Sequence, residues 1–270
     1  MYHDVVEPGA EDASGFPGRD ANSYKVTVDR FRAHLDAILE RRSLPAPPAL
    51  PALPALPALP ALPALPIITF DDGGSSARVA ADLLECKGLR GCFFVTANYI
   101  GTRGFVDAAA IRDLDRRGHL VGSHSCSHPL RIGHCPPDQL HDEWTRSREI
   151  ISGILGRGIE LASVPGGDFR PAVAEAAAEA GFNDLFTSEP TTASRLAFGL
   201  KLHGRFIIRS WTSARIAAAL SAGDYLPCAQ EALVWKVKKL GKQLGGEGYL
   251  RIRRLVLGDA RHVRWGDCRD

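Results

Sequence analysis

The sequence predicts an α/β fold, a barrel of parallel strands with a helix after most of them. Three observations carry this. The 270 residues suit one α/β barrel, an architecture that takes roughly 250 residues. Short apolar runs alternate with amphipathic stretches of helical period, the pattern of βαβ units on a parallel sheet. No Gly-x-Gly-x-x-Gly follows a strand, so a dinucleotide-binding open sheet has no support.

The elements follow in order, with seven strands expected. The first strand lies before Ser14. Val26 to Arg42 sets Phe31, Leu35, Ile38 and Leu39 on one helical face, with Thr27 as its cap. Residues 67–70 form a short buried strand that stops at Asp71-Asp72-Gly73-Gly74. Ala77 to Lys87 is helical and ends at Gly88. Gly91 to Thr96 is a strand, Asp107 to Arg117 a helix and His119 to Ser123 a strand. Pro137 to Leu155 is a long amphipathic helix, and the strand Ile159 to Val164 follows. Pro171 to Ala180 is an Ala-rich helix opened by proline at its first turn. Strands Asp184 to Thr187 and Arg205 to Arg209 come next, then helices near 213–221 and 228–243.

One stretch breaks the alternation. Residues 48–66 are six Pro-Ala-Leu triplets closed by Pro66, within a low-complexity insert at 45–66. Proline at every third position forbids helix and central strand and favours polyproline II. Surface linkers tolerate such insertions at small entropic cost, so the insert is expected to lie off the barrel. A docking stripe of leucines is the alternative. The remainder is expected to form a single domain over 1–270, with a C-terminal helical extension at about 224–270.

Composition narrows the function classes. Hydrophobic residues make up 45% and charged residues 24%, as in an ordinary globular chain. The net charge is only +2, from 33 basic and 31 acidic side chains, which gives no sign of nucleic-acid binding. There is no apolar run long enough for a transmembrane helix. The polar, acidic start lacks the pattern of a signal peptide, so the chain as given reads as cytoplasmic. The six cysteines are scattered, with no Cys-x-x-Cys pair, and read as reduced thiols.

Three polar clusters fall at strand ends, where a parallel barrel carries its chemistry. In Thr69-Phe70-Asp71-Asp72-Gly73, two adjacent carboxylates need a metal or a basic partner to offset their repulsion. Their side chains point different ways, so their roles can differ. In His124-Ser125-Cys126-Ser127-His128-Pro129, the histidines at i and i+4 share a face if the segment makes a helical turn, a spacing that suits one metal. Cys126 would face away. One Asp and two His form a three-ligand face that leaves room for water and substrate. The third cluster is Ser163-Val164-Pro165-Gly166-Gly167-Asp168, whose glycines let the backbone approach a ligand.

The first two motifs, in this order and about 50 residues apart, resemble the polysaccharide deacetylases with the NodB homology domain, carbohydrate esterase family 4. The resemblance runs from about Pro66 to Arg209. It implies a distorted (β/α)7 barrel and a divalent metal ion, most often zinc. It also implies hydrolysis of the acetamide of N-acetylated sugars. By the same resemblance Asp71 is the general base, and Asp72, His124 and His128 hold the metal. Pro165, Gly166 and Gly167 contact substrate. His3, in Tyr2-His3-Asp4, resembles the Tyr-His at the first strand of some such deacetylases.

Two positions depart from the family pattern. The family's third motif carries an arginine that orients the base, and Ser163 stands there. Arg170, close by, is the candidate to reach back. The late Leu-x-His motif supplies the general acid, and its nearest match is Leu200-Lys201-Leu202-His203, placed before the expected strand at 205–209. Protonating the leaving amine calls for a group that titrates near neutrality, and histidine fits with an ordinary pKa of ~6.5. His203 and His3 are the two candidates. Trp144 and Trp235 lie in amphipathic helices and read as core or helix packing, with sugar stacking as the alternative. The expected function is metal-dependent deacetylation of an N-acetylated glycan. The alternative is a weakened NodB-like module that binds metal and glycan without turnover.

Overall fold

The computed structural model describes residues 1–43 and 66–237. The Pro-Ala-Leu insert and the end of the C-terminal extension lie outside the described residues. Among the described residues no helix is long and apolar enough to cross a membrane.

The main sheet has seven strands, curled into a half-barrel. They are β3 (Ile68–Phe70), β4 (Gly91–Val95), β5 (Leu120–Ser123), β6 (Leu161–Ser163), β7 (Asp184–Phe186), β8 (Ser194–Ala197) and β9 (Leu200–His203). Their order is β3-β4-β5-β6-β7-β9-β8. All pairs are parallel except β8 with β9. A separate two-stranded sheet joins β1 (Val5–Val6) to β2 (Val26–Thr27).

Helices α3 (Ala77–Glu85), α4 (Ala108–Arg116), α5 (Pro137–Leu155) and α6 (Pro171–Glu179) connect the parallel strands. Asp107 caps α4 by accepting from the Ala110 N–H at 2.7 Å. Thr27 caps α2 (Val28–Ser43), which follows the one-turn α1 (Arg19–Asn22), through the Arg30 N–H. Both caps satisfy an otherwise orphan amide. Trp144 of α5 is fully buried and its indole donates to the Val173 carbonyl, so it is a core residue. After α7 (Ala214–Ala222), a further helix occupies 225–237.

Two placements differ from the sequence reading. Residues 205–209 are not a strand. The last part of the sheet is instead the hairpin β8–β9, turned by Phe198 and Gly199, both at positive φ (56° and 76°). His203 therefore closes its own strand, paired with Phe186 of β7. The N-terminal residues also reach the main sheet. The Tyr2 N–H donates to the Thr69 carbonyl at 2.7 Å, and the Asp71 N–H donates to the Tyr2 carbonyl at 3.0 Å. This extends the β3 edge and carries His3 to the end of the sheet where Asp71 and Asp72 emerge.

Candidate functional site

β3 ends in Asp71 and Asp72, buried at 3% and 8% exposure. The backbone at Asp72 turns sharply into the left-handed region (φ 74°). Adjacent residues thereby face different partners. Asp71 meets Arg205, whose Nη1 and Nη2 donate to its two carboxylate oxygens at 2.6 and 2.8 Å. Asp72 meets the two histidines instead, with its Oδ1 3.3 Å from His124 Nε2 and 3.5 Å from His128 Nε2.

His124 and His128 come together, but not through a helical turn. The loop after β5 bends back on itself, with Ser125 and His128 both at positive φ (63° and 57°). Non-glycine residues in that region carry backbone strain. The strain is held by local hydrogen bonds. The Ser125 N–H donates to Ser123 Oγ and the His128 N–H donates to Ser125 Oγ, each at 3.1 Å. Buried Glu143 of α5 accepts from the Cys126 and Ser127 N–H groups at 2.9 and 2.8 Å, and from the Ser127 hydroxyl. Cys126 is buried and turned toward Asn98, so it stays outside the histidine cluster.

The three ligand atoms of Asp72, His124 and His128 lie within 4.8 Å of one another. The chemistry of this donor set fits a divalent ion. His124 Nδ1 lies 2.5 Å from Ser163 Oγ and 3.1 Å from the Ser163 carbonyl. Donating to that carbonyl leaves the Nε2 lone pair free for a metal, the usual way an outer partner fixes an imidazole. Burial pushes the His128 imidazole down to about 4, against the pull of Asp72, so its ring is neutral at neutral pH. Burial works to raise Asp72, but the hydrogen bond from His124 and the charges of His3 and His128 outweigh it and hold the carboxyl well below its ordinary range. Asp71 is likewise raised by burial and lowered more strongly by the Arg205 charge, then His124, and stays ionised.

Arg205 was not singled out from the sequence. It is 6% exposed and completes its donor fork on Thr69 Oγ1 (3.1 Å) and the Thr187 carbonyl (3.0 Å). Gly204 before it has no room for a side chain, since a Cβ would stand 2.6 Å from the Glu189 carbonyl oxygen. Arg170, the expected replacement for the family arginine, points elsewhere, with its Nη2 2.5 Å from His134 Nε2.

The two candidate acids differ in surroundings. The ring nitrogens of His203 are both engaged, Nε2 with Asp184 Oδ1 at 2.5 Å and Nδ1 with the Ser194 hydroxyl at 2.9 Å. The ring is stacked on Phe186. His3 lies near enough for its charge to act on both Asp71 and Asp72. Its Nδ1 is buried with no hydrogen-bond partner. Phe16, from the loop after β1, packs on His128 with ring centroids 4.9 Å apart. That loop is pinned by buried Lys25, whose Nζ donates to the Glu11, Ser14 and Phe16 carbonyls. Pro165, Gly166 and Gly167 form a tight turn after β6, both glycines at positive φ (62° and 64°). Their close neighbours are Leu130 and Ser188.

The sequence profile described as polysaccharide deacetylase matches residues 64–185. No match was found among curated proteins. Three solved structures share the fold. A Streptococcus pyogenes deacetylase in complex with acetate is 19% identical, with 82% of this chain and 95% of that one covered and a TM-score of 0.61. A polysaccharide deacetylase from Bacillus cereus is 15% identical over 82% and 67% of the two chains, with a TM-score of 0.62. IcaB from Ammonifex degensii is 19% identical over 82% and 97%, with a TM-score of 0.57.

Proposed function

Because residues 64–185 belong to the polysaccharide deacetylase family, we propose that this protein hydrolyses the acetamide of an N-acetylated glycan with a bound divalent metal, zinc above all. One observation carries the proposal: an ionised, arginine-clamped carboxylate, Asp71, stands beside the Asp72, His124 and His128 donors.

Asp72, His124 and His128 would hold the ion. When bound, it supplies Lewis-acid polarisation of the acetamide carbonyl and acidification of a water. Asp71 takes the proton of the attacking water. Arg205 fixes both carboxylate oxygens of Asp71, so the base meets the water in one orientation. His3 delivers the proton that the leaving amine requires. Its proximity to Asp71 and Asp72 supports that assignment over His203, whose ring nitrogens are both taken. Pro165, Gly166 and Gly167, on the turn that follows Ser163, would contact the sugar.

The alternative, a binding module without turnover, rested on the serine at 163 and on the placement of His203 ahead of its expected strand. Arg205 clamping Asp71 from another part of the chain weighs against the first of these. The test is acetate release from chitin oligomers and peptidoglycan fragments by metal-loaded protein, with a chelated control. Release that stops on chelation and returns with zinc supports the proposal; metal uptake without acetate release from any of them would overturn it.

A further inference from the structure

Two loops leave the catalytic end of the sheet in contact with each other, the one after His128 and the one after Ser163. A Cβ on Gly166 would stand 3.1 Å from the Leu130 carbonyl oxygen. The Gly133 N–H donates to Asp168 Oδ2 at 3.2 Å. Each loop brings one arginine to the same imidazole. Nη2 of Arg131 and Nη2 of Arg170 lie 2.6 and 2.5 Å from Nε2 of His134. On its other side His134 Nδ1 meets Asp168 Oδ2 at 3.0 Å.

A guanidinium can only donate, so Nε2 is the acceptor and Nδ1 carries the hydrogen. One in-plane lone pair then faces two cationic donors and satisfies one of them. The single carboxylate in the cluster is already shared by Gly133 and His134. Among the described residues neither Arg131 nor Arg170 forms an ion pair. Two positive side chains therefore stand together against one negative one, at an exposed rim, with donors to spare. What they lack is one further anion, and a planar carboxylate matches the guanidinium fork.

We propose that Arg131 and Arg170 form a subsite for a carboxylate carried by the glycan, and so select acidic N-acetylated chains over neutral ones. This rests on the deacetylase reading given above for its position beside the reacting sugar.

The test is calorimetric binding to the metal-loaded full chain. One ligand is a tetrasaccharide of alternating N-acetylglucosamine and N-acetylmuramic acid, which carries carboxylates. The other is the neutral N-acetylglucosamine tetramer. Wild type should bind the acidic ligand about tenfold tighter, the scale of a charge-assisted contact discounted for exposure. Added salt should erode that preference. The Arg131→Gln/Arg170→Gln double variant should bind both ligands alike, with affinity for the neutral tetramer unchanged. If the double variant melts early, the single variants carry the same comparison, each losing part of the preference. Equal affinities in wild type, a preference that survives in the variants, or equal weakening toward both ligands would each overturn the proposal. Binding is read without turnover, so the two proposals fail separately. Acidic preference without acetate release keeps the subsite and sinks the reaction, and acetate release without preference does the reverse.

Discussion

Arg205 and Asp71 lie 134 residues apart in the chain and meet through two hydrogen bonds of 2.6 and 2.8 Å in the interior. Both side chains are almost fully buried, at 5% and 3% exposure. Removing one partner of such a pair leaves an uncompensated buried charge, at a cost of about 3 kcal/mol or more. Arg205→Met should therefore lower stability by that order in denaturant titrations. Combined with Asp71→Asn, most of the loss should disappear. Equal losses in both backgrounds would show that the pair is not coupled.

The adjacent carboxylates should separate by experiment. Asp71→Asn should retain the metal and lose acetate release, because it removes a proton acceptor and not a ligand. Asp72→Asn and His124→Ala should lose metal in elemental analysis. If the Asp71 and Asp72 variants behave alike, the division of roles is wrong.

Ser163 stands where the family pattern places a base-orienting arginine, and it contacts His124 Nδ1 through Oγ and its carbonyl. Ser163→Ala keeps the carbonyl and removes the hydroxyl. Metal affinity should fall about tenfold, the lower end of outer-partner effects, with stability little changed. An unchanged affinity would leave the carbonyl as the sole determinant of the ring's orientation.

His3→Ala and His203→Ala should give different pH–rate profiles. A general acid must be protonated to act, so its deprotonation sets the alkaline limb. His3→Ala should lose most of the rate and that limb. His203→Ala should keep the limb. It should instead cost stability, because it leaves Asp184 and Ser194 unpaired. The reverse pattern would move the acid to His203.

The Asp72, His124 and His128 cluster was legible in the sequence because its parts are local. Asp72 ends an apolar strand, and His124 and His128 share one short loop. The mechanism that joins the histidines was not legible, since it rests on positive φ at Ser125 and His128 where a helical turn was the simpler expectation. Glu143 was hidden for a related reason. Helical periodicity assigns a charged residue to the solvent face, yet this one is buried to hold the loop. Arg205 was out of reach because its position depends on the β8–β9 hairpin. The two-residue Phe198-Gly199 turn between β-like segments was the available signal. Read as a hairpin, it would have ended β9 at His203 and freed Arg205 from the strand assigned to it. For His203 the Leu-x-His pattern matched, but Asp184 and Ser194, which engage its ring, become neighbours only through strand pairing.

The Asp71–Arg205 contact also has a kinetic consequence. Helices α3 to α6 and the β4–β5 and β6–β7 pairs join segments close in sequence, whereas this ion pair joins residues 134 positions apart. Contacts of long sequence separation require the ordering of everything between them and tend to form late. A refolding chain should regain its helical circular dichroism before it regains a clamped base. On the proposed reaction, a chain with native-like secondary structure but an unjoined Asp71–Arg205 pair should release no acetate.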